Sequence, residues 1–506
     1  MDGAMGGGAR AAEWKSKVRY EMQKISSAPP SRRGLRSMSR GVFQAARDFI
    51  MSAVEPSYSS KKTPLLGEPL LDEPPTTRSG VGISTATVSL VKTCIGTGVM
   101  ALPYGFGKAG TLAVPGLVIL GFWNAYNCMQ LLQARAVMQQ RCGAKYHENF
   151  GSSYSALMHA SLGRAGVVVL EGSVCLSLTL VCASLQVQAS QLVAAVAAVP
   201  YAICAAVGGI ILIPFVLLRS LDGLAWIAVC SLLILAFSLL TVASSGVLRF
   251  GPPSWPPPAH LTTPPTAHGF ALFFGIASFS FGLQPIIMPV QDGMRHPEQA
   301  ASAIGYSVAI VVGAYALVGT TLAWLYSSDP NGVQQLVLLN LPQPSMIATV
   351  ANIASGAVAL MSVPMPLMPV VQLITNLVVR PLTRSLTRGQ SDGEQSDGGG
   401  TSASSAAGVG GGEAAVRLSL LVLTTTLAVH MPQFGTAAGL TGCLCIITSN
   451  VLPPLCHLSL VSWPAHPDDR KPITAAFDVL LLVAGAVALV QFTLQFIVEL
   501  TSPAAE

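Results

Sequence analysis

Eleven stretches of this 506-residue chain are apolar over lengths that cross a bilayer: 82–106, 111–134, 166–188, 200–218, 221–247, 268–291, 302–326, 345–378, 414–430, 433–461 and 474–499. About 20 apolar residues in a helix span the hydrocarbon core, whereas a strand needs about ten. Lipid offers no partner to a backbone amide or carbonyl, so segments this long must be helices that close their own hydrogen bonds. Charged residues make up 10% of the chain, well below the roughly 25% of soluble proteins. The pattern predicts an all-α polytopic membrane protein surrounded by a lipid bilayer. Window 345–378 is longer than a perpendicular crossing needs, so it should tilt or project.

Basic residues orient the windows. With the N-terminus in the cytosol, the inner regions 1–80, 135–165, 219–220, 292–301, 379–417 and 462–473 hold 25 of the 28 Lys and Arg, as the positive-inside rule requires. Residues 501–506 then lie on the outer or lumenal side. Segment 1–80 is polar, holds 13 Lys and Arg, and is rich in Ser, Pro and Gly. It reads as a disordered basic cytosolic tail, without the apolar core of a signal peptide. Within it, Thr63-Pro-Leu-Leu-Gly-Glu-Pro-Leu-Leu-Asp-Glu73 resembles an acidic dileucine sorting signal of endosomal and vacuolar proteins. The transmembrane domain is 81–500, with a stiff Pro-rich outer loop at 248–267 and a flexible Gly/Ser-rich inner loop at 389–412. The net charge of +5 belongs to the tail and inner loops and is no nucleic-acid signature. Nine of the ten cysteines lie in apolar windows, and Cys443-x-Cys445 cannot form a zinc site alone. Neither a metal nor a cofactor is expected.

Two windows are interrupted. In Lys92-Thr-Cys-Ile-Gly-Thr-Gly-Val-Met-Ala-Leu-Pro-Tyr104, Gly96 and Gly98 invite the helix to open mid-span. In Phe273-Phe-Gly-Ile-Ala-Ser-Phe-Ser-Phe-Gly-Leu-Gln-Pro285, Gly275, Gly282 and Pro285 do the same five windows later. Corresponding breaks in spans 1 and 6 suggest a 5+5 inverted repeat with span 11 appended, and a binding site between the breaks. Amides at a half-helix N-terminus attract a carboxylate, and carbonyls at a C-terminus accept from an ammonium. Such a site suits a zwitterion without a charged side chain.

The first-window motif Lys92-Thr-Cys-Ile-Gly-Thr-Gly-Val-Met-Ala-Leu-Pro-Tyr-Gly-Phe resembles that of the amino acid/auxin permease family, within the amino acid–polyamine–organocation fold. Asp292-Gly-Met-Arg-His-Pro-Glu298, Ile213-Pro-Phe-Val-Leu-Leu-Arg-Ser-Leu221 and Asn450-Val-Leu-Pro-Pro-Leu455 are similar to its later motifs, close to the vacuolar branch. The resemblance implies an eleven-helix carrier of the LeuT/APC-like kind that moves amino acids on a proton or sodium gradient by alternating access. Carried onto this chain, it places the substrate at Thr93, Cys94, Ile95, Gly96, Thr97 and Gly98, and at Ser278, Phe279, Ser280 and Gly282. In sodium-coupled relatives hydroxyls of the eighth helix and carbonyls of the first hold the ion, and here Ser362 would supply such an oxygen, with Thr93 opposite. Phe281-Gly-Leu-Gln-Pro-Ile-Ile-Met-Pro departs from the family's usual sixth-span stretch.

Glu171 is a candidate for proton coupling, its alternatives being a pair with Lys92 or an interfacial position; few hydroxyls are at hand for sodium, so protons are expected over sodium. Asp478 and Glu499 lie near the ends of span 11 and are expected at the interfaces. An amino-acid sensor signalling through its tail is the second reading. A membrane enzyme is not expected, because no nucleophile–base pair or phosphate-binding loop appears in the windows. An endomembrane or vacuolar location is expected.

Overall fold

The computed structural model describes residues 80–142, 153–217, 225–252, 258–376, 401–464 and 470–501. The basic tail, the dileucine-like segment and residues 389–400 lie outside them. The helices are α1a (Ile83–Cys94), α1b (Leu102–Ala109), α2 (Ala113–Cys142), α3 (Ser153–Ala197), α4 (Tyr201–Leu217) and α5 (Ala225–Phe250). They continue as α6a (Ala267–Phe279), α6b (Gln284–Gly293), α7 (Ala300–Leu325), α8a (Met346–Ser362), α8b (Pro364–Ile374) and α9 (Thr401–His430). The last are α10a (Phe434–Ile446), α10b (Leu452–His457) and α11 (Pro472–Thr501). These segments fall on the eleven apolar windows. Nine helical runs among the described residues are long and apolar enough to cross a membrane, one of them joining α1b to α2, and α4 is a shorter apolar helix.

Proline punctuates the breaks. Pro103 opens α1b, Pro285 opens α6b and Pro364 opens α8b, each in the first turn. Its fixed φ suits that position, and its missing amide would be unpaired there anyway. Within α10 two π-helical turns, Ile447–Val451 and Leu458–Ser462, flank α10b.

Helix pairing carries the signature of a five-helix repeat. Contacts link α1 with α6, α2 with α7, α3 with α8, and α4 with α9; α3–α10 is matched by α8–α5, and α1–α7 by α6–α2. Each set is unchanged when helix n is exchanged for n+5. Because five crossings are odd, the second copy runs through the membrane upside down relative to the first. A separate apolar core gathers Cys182 and Leu185 of α3, Leu212 of α4, Ala359 of α8a, Leu367 of α8b and Leu420 of α9. Those four helices form a closed set under the same exchange.

Polar bonds join α3 to its neighbours. Gln186 Nε2 donates to Thr424 Oγ1 at 2.8 Å, Thr425 Oγ1 donates to Gln186 Oε1 at 2.9 Å, and Ser184 meets Thr441 at 3.2 Å. Where α6a crosses α10a there is no room for side chains: a Cβ on Gly442 would overlap the Gly275 carbonyl, and one on Gly275 would meet Gly439. Small residues of this kind let helices touch backbone to backbone in lipid. Outside, Ile119, Val168, Ile210, Leu240 and Val422 are exposed, the surface a bilayer would cover.

Helices α2 and α3 run past their windows, and two expected loops are partly helical. Helix α2 continues to Cys142 and α3 begins at Ser153, so most of the 135–165 connection is helical; Gly163, at φ 65°, kinks α3. Helix α9 extends back to Thr401, through part of the expected loop 389–412. A formed helix propagates through Ala403, Ala406 and Ala407 without a new nucleation step. Loop 248–267 contains a helical turn at Ala259–Thr262, where Leu261 N bonds Pro258 O.

Candidate functional site

Helix α1a ends at Cys94. Ile95 turns to extended backbone (φ −75°, ψ 90°) and so does Gly96 (φ −133°, ψ −155°), before a 3₁₀ segment at Thr97–Ala101 leads into α1b. The first bond closing that segment is Val99 N to Gly96 O at 3.2 Å. The amides of Thr97 and Gly98 therefore stand at a helix N-terminus, where no intrahelical acceptor exists. Helix α6a ends at Phe279, and Leu283 precedes α6b. Ser280 N and Phe281 N bond Ala277 O and Ser278 O, tightening its last turn.

The two breaks meet. Gly98 is buried, and a Cβ there would collide with Ser280 Oγ and the Phe279 ring. By contrast, Gly96 and Gly282 each face open space within 4 Å of where a Cβ would sit. Tyr315 of α7 ties the breaks together. Its hydroxyl lies 2.5 Å from Cys94 O and 3.0 Å from Ser280 O, so its proton is offered to the C-terminal carbonyls of both half-helices. One hydroxyl proton is thus shared between the two carbonyls, each of which keeps a further lone pair. Ser278 Oγ is buried with no hydrogen-bond partner among the described residues. An unpaired buried hydroxyl at a helix break is a place where a polar ligand gains most.

The other expected residues stand as follows. Cys94 is buried, and Ile95 and Phe279 are half-buried. Ser280 Oγ donates back to Ile276 O at 3.0 Å. Thr93 is exposed and donates to Ser89 O at 3.0 Å; Ser362 donates to Val358 O at 2.7 Å. Glu171 is half-buried and accepts from Ser155 Oγ at 3.5 Å. Asp478 contradicts its expected interfacial position: it has no solvent exposure, because α2 and α10 close over it with polar partners. Tyr315 was not singled out in the sequence, although a tyrosine inside an apolar window must find a partner for its hydroxyl.

The space beside the breaks is asymmetric. Toward the face where residue 80 lies, α1a presents exposed Ser84, Thr85, Val88, Ser89, Lys92 and Thr93 on one side of the helix, and exposed Gly282 of the second break is followed by exposed Pro285 and Pro289 of α6b. Two backbone bonds tie the ends of these helices: Val81 N to Gly293 O and Arg295 N to Val81 O, both 2.9 Å. Buried Arg135 of α2 pairs with Asp292 and donates to Gln291 Oε1 at 2.9 Å. Toward the far face the 3₁₀ segment Val337–Asn340 packs on Thr97–Ala101, α3 and α5, with Val337 and Leu338 fully buried. Arg249 holds it by donating to Asn340 O at 3.1 Å. A cavity of about 490 Å³ lies beyond this plug, lined by Tyr104, Lys108, Asn331, Gln334 and Gln335. None of the break residues 94–98 or 278–283 lines it.

An all-helical, multi-pass membrane protein with two helices broken against each other is the class these features define. The chain belongs to the transmembrane amino acid transporter protein family, whose family model matches residues 79–498. It is 24% identical over 462 residues to amino acid transporter ANT1 of Arabidopsis thaliana, covering 85% of this chain and 96% of that one. Vacuolar amino acid transporter 4 of Saccharomyces cerevisiae is 25% identical over 291 residues, 57% of this chain and 40% of the yeast protein. That match spans less than half of the yeast relative's length. The human vesicular inhibitory amino acid transporter is 26% identical over 230 residues, 43% of this chain and 38% of that one. Among solved structures, a Na+-coupled sialic acid symporter in a substrate-bound outward-open state covers 81% of this chain and 90% of its own, at 12% identity and a TM-score of 0.40.

Proposed function

We propose that this protein carries amino acids across an endomembrane by alternating access, coupled to protons, with its N-terminus in the cytosol. The observation that carries this reading is the meeting of the α1 and α6 breaks beside the open space at Gly96 and Gly282. The substrate carboxylate meets the N-terminal amides at Thr97 and Gly98, where the helix dipole is positive. Its ammonium is accepted by backbone and by Ser278 Oγ, which needs a partner. Recognition by backbone reads the part common to all amino acids and leaves the side chain to the open space.

In the cycle, α1 and α6 rock against the core formed by α3, α4, α8 and α9. The exposed polar face of α1a and the plug at Val337–Asn340 support an arrangement open toward the N-terminal face and closed on the other. Names of relatives from yeast vacuoles support an endomembrane location, and the distribution of Lys and Arg supports the orientation.

The test is uptake of a panel of radiolabelled amino acids into proteoliposomes under imposed pH and sodium gradients, comparing wild type with Gly96→Val. Valine there fills the space assigned to substrate, and uptake should fall at least about 10-fold, roughly 1.4 kcal/mol. Unaltered uptake by that variant would place the substrate elsewhere, and ligand binding without any flux would favour a sensor.

A further inference from the structure

Helix α11 lies outside the five-helix pairing, yet it carries a carboxylate sealed from solvent. Asp478 is 0% exposed and His457 of α10b is 1% exposed. Charge this deep persists only where hydrogen bonds replace water. Asp478 Oδ2 lies 2.8 Å from His457 Nδ1 and accepts from Ser462 Oγ, while Gln130 Nε2 of α2 donates to Oδ1 at 2.7 Å. The other ring nitrogen, His457 Nε2, lies 2.8 Å from Gln133 Oε1. Both nitrogens thus face oxygen, an arrangement that fits an imidazolium donating from each. A neutral ring that keeps Nδ1–H on Asp478 leaves Nε2 bare, and the Gln133 amide then turns its NH2 to it; with the proton on Nε2, Ser462 Oγ, 3.2 Å away, donates to Nδ1 instead. Losing the proton thus rearranges hydrogen-bond partners on α2 or α10.

From there a polar stripe winds along α2 to the α6 break. Gln133 meets His457, Gln130 meets Asp478, Asn127 Nδ2 donates to Ser449 O in the π turn of α10 at 2.7 Å, and Asn124 Oδ1 accepts from Gln284 Nε2 of α6b at 2.8 Å. Asn124, Asn127, Gln130 and Gln284 are each at most 2% exposed. Asn127 Oδ1, Gln130 Oε1 and Gln284 Oε1 have no partner among the described residues. Buried acceptors spaced along one stripe suit water that passes a proton between them. The other titratable or charged groups on packed elements are Tyr126 of α2, whose ring lies 5.2 Å from Phe477, Arg135 of α2, paired with Asp292, Tyr154 of α3, bonded to Thr448 O, His159 and Glu171 of α3, Lys471, whose amide bonds Ser462 O, and the thiols of Cys128 on α2, Cys443 and Cys445 on α10a and Cys456 on α10b.

We propose that the Asp478–His457 pair is the proton-binding site that couples a pH gradient to substrate movement, with the α2 stripe linking it to the α6 break. The proposal rests on the carrier reading above. Loaded, the pair is carboxylate and imidazolium; unloading breaks the Nε2–H bond and passes the proton to water on the side then open, leaving a neutral ring.

The test reconstitutes the full chain and measures the ratio of pH-driven accumulation of an amino acid to its exchange at equal pH, so that an overall loss of activity cancels. Wild type should give a ratio well above one; Asp478→Asn and His457→Gln should lower it at least about 10-fold. Gln133→Leu, which leaves the pair in place, should move the pH of half-maximal accumulation, and it decides the matter if both other variants fail to insert. Unchanged ratios, or an unmoved pH midpoint, overturn the proposal. So does a wild type that exchanges but accumulates only on a sodium gradient. A wild type that neither exchanges nor accumulates any amino acid would instead bring down the carrier reading itself.

Discussion

Helices α1a and α1b come from one apolar window yet meet different surroundings. The first packs chiefly on α7 and leaves exposed a largely polar face, four hydroxyls and Lys92 with Val88 among them. The second is enclosed by α6a, α7 and the connection after α7, with the Phe106 ring seated against Gly319 and edge-on to Phe273 at 5.6 Å. Hydroxyls and an ammonium on an outer face are costly against lipid and favourable against water. The difference teaches that the break does more than kink a helix: it separates a half with an exposed, largely polar face from a packed one. A carrier needs such a division, because one half must move while the other keeps the site sealed.

The sharpest way to break this comparison uses two glycines two residues apart. Gly98→Ala puts a methyl into Ser280 Oγ and the Phe279 ring, whereas Gly96→Ala points into open space. Initial uptake rates should fall more than about 10-fold for the first and less than about 3-fold for the second, a gap of at least about 0.7 kcal/mol. Equal losses would erase the distinction between a packed side and an open one.

Next in size is the tie between the breaks. Tyr315→Phe removes the donor from Cys94 O and Ser280 O and leaves two buried carbonyls short of a partner. The cost should be about 1–3 kcal/mol in stability, read as a lower unfolding temperature in detergent, with slower uptake alongside.

A smaller effect is expected at the latch on the N-terminal face. The Arg135 side chain is 2% exposed and that of Asp292 53% exposed. Removing the buried cation with Arg135→Met should therefore disturb uptake more than Asp292→Asn, whose charge is mostly in water. The reverse order would show that the carboxylate, not the guanidinium, carries the contact.

The smallest, and the most specific to α1a, is chemical access. Ser89→Cys should react with a membrane-impermeant maleimide added from the N-terminal face, while Leu102→Cys, fully buried in α1b, should not. Labelling of both at equal rates would remove the asymmetry.

Much of this architecture was readable because it is written in local pattern. Window length located the spans, and Gly96, Gly98, Gly282 and Pro285 located both breaks, since helix opening follows from the residues at the opening itself; Gly275, expected to open the same span, instead lies inside unbroken α6a, where it meets α10a. What could not be read was partnership across helices. In a chain whose helices are apolar all round, periodicity does not say which face meets which neighbour. Asp478 near the start of span 11 looked interfacial by position, but its burial depends on Gln130, His457 and Ser462 arriving from α2 and α10. Tyr315 is an ordinary span residue until α7 is placed against both breaks. The Gly275–Gly439–Gly442 crossing likewise needs two distant glycine positions brought together.

The most direct measurement is an experimental structure of the protein with an amino acid bound. The account predicts ligand density between Thr97–Gly98 and Ser278–Gly282, its carboxylate on the amides that open the second half of α1. Density in the cavity beside Tyr104 and Gln335, or continuous α-helix through residues 94–98, would contradict it.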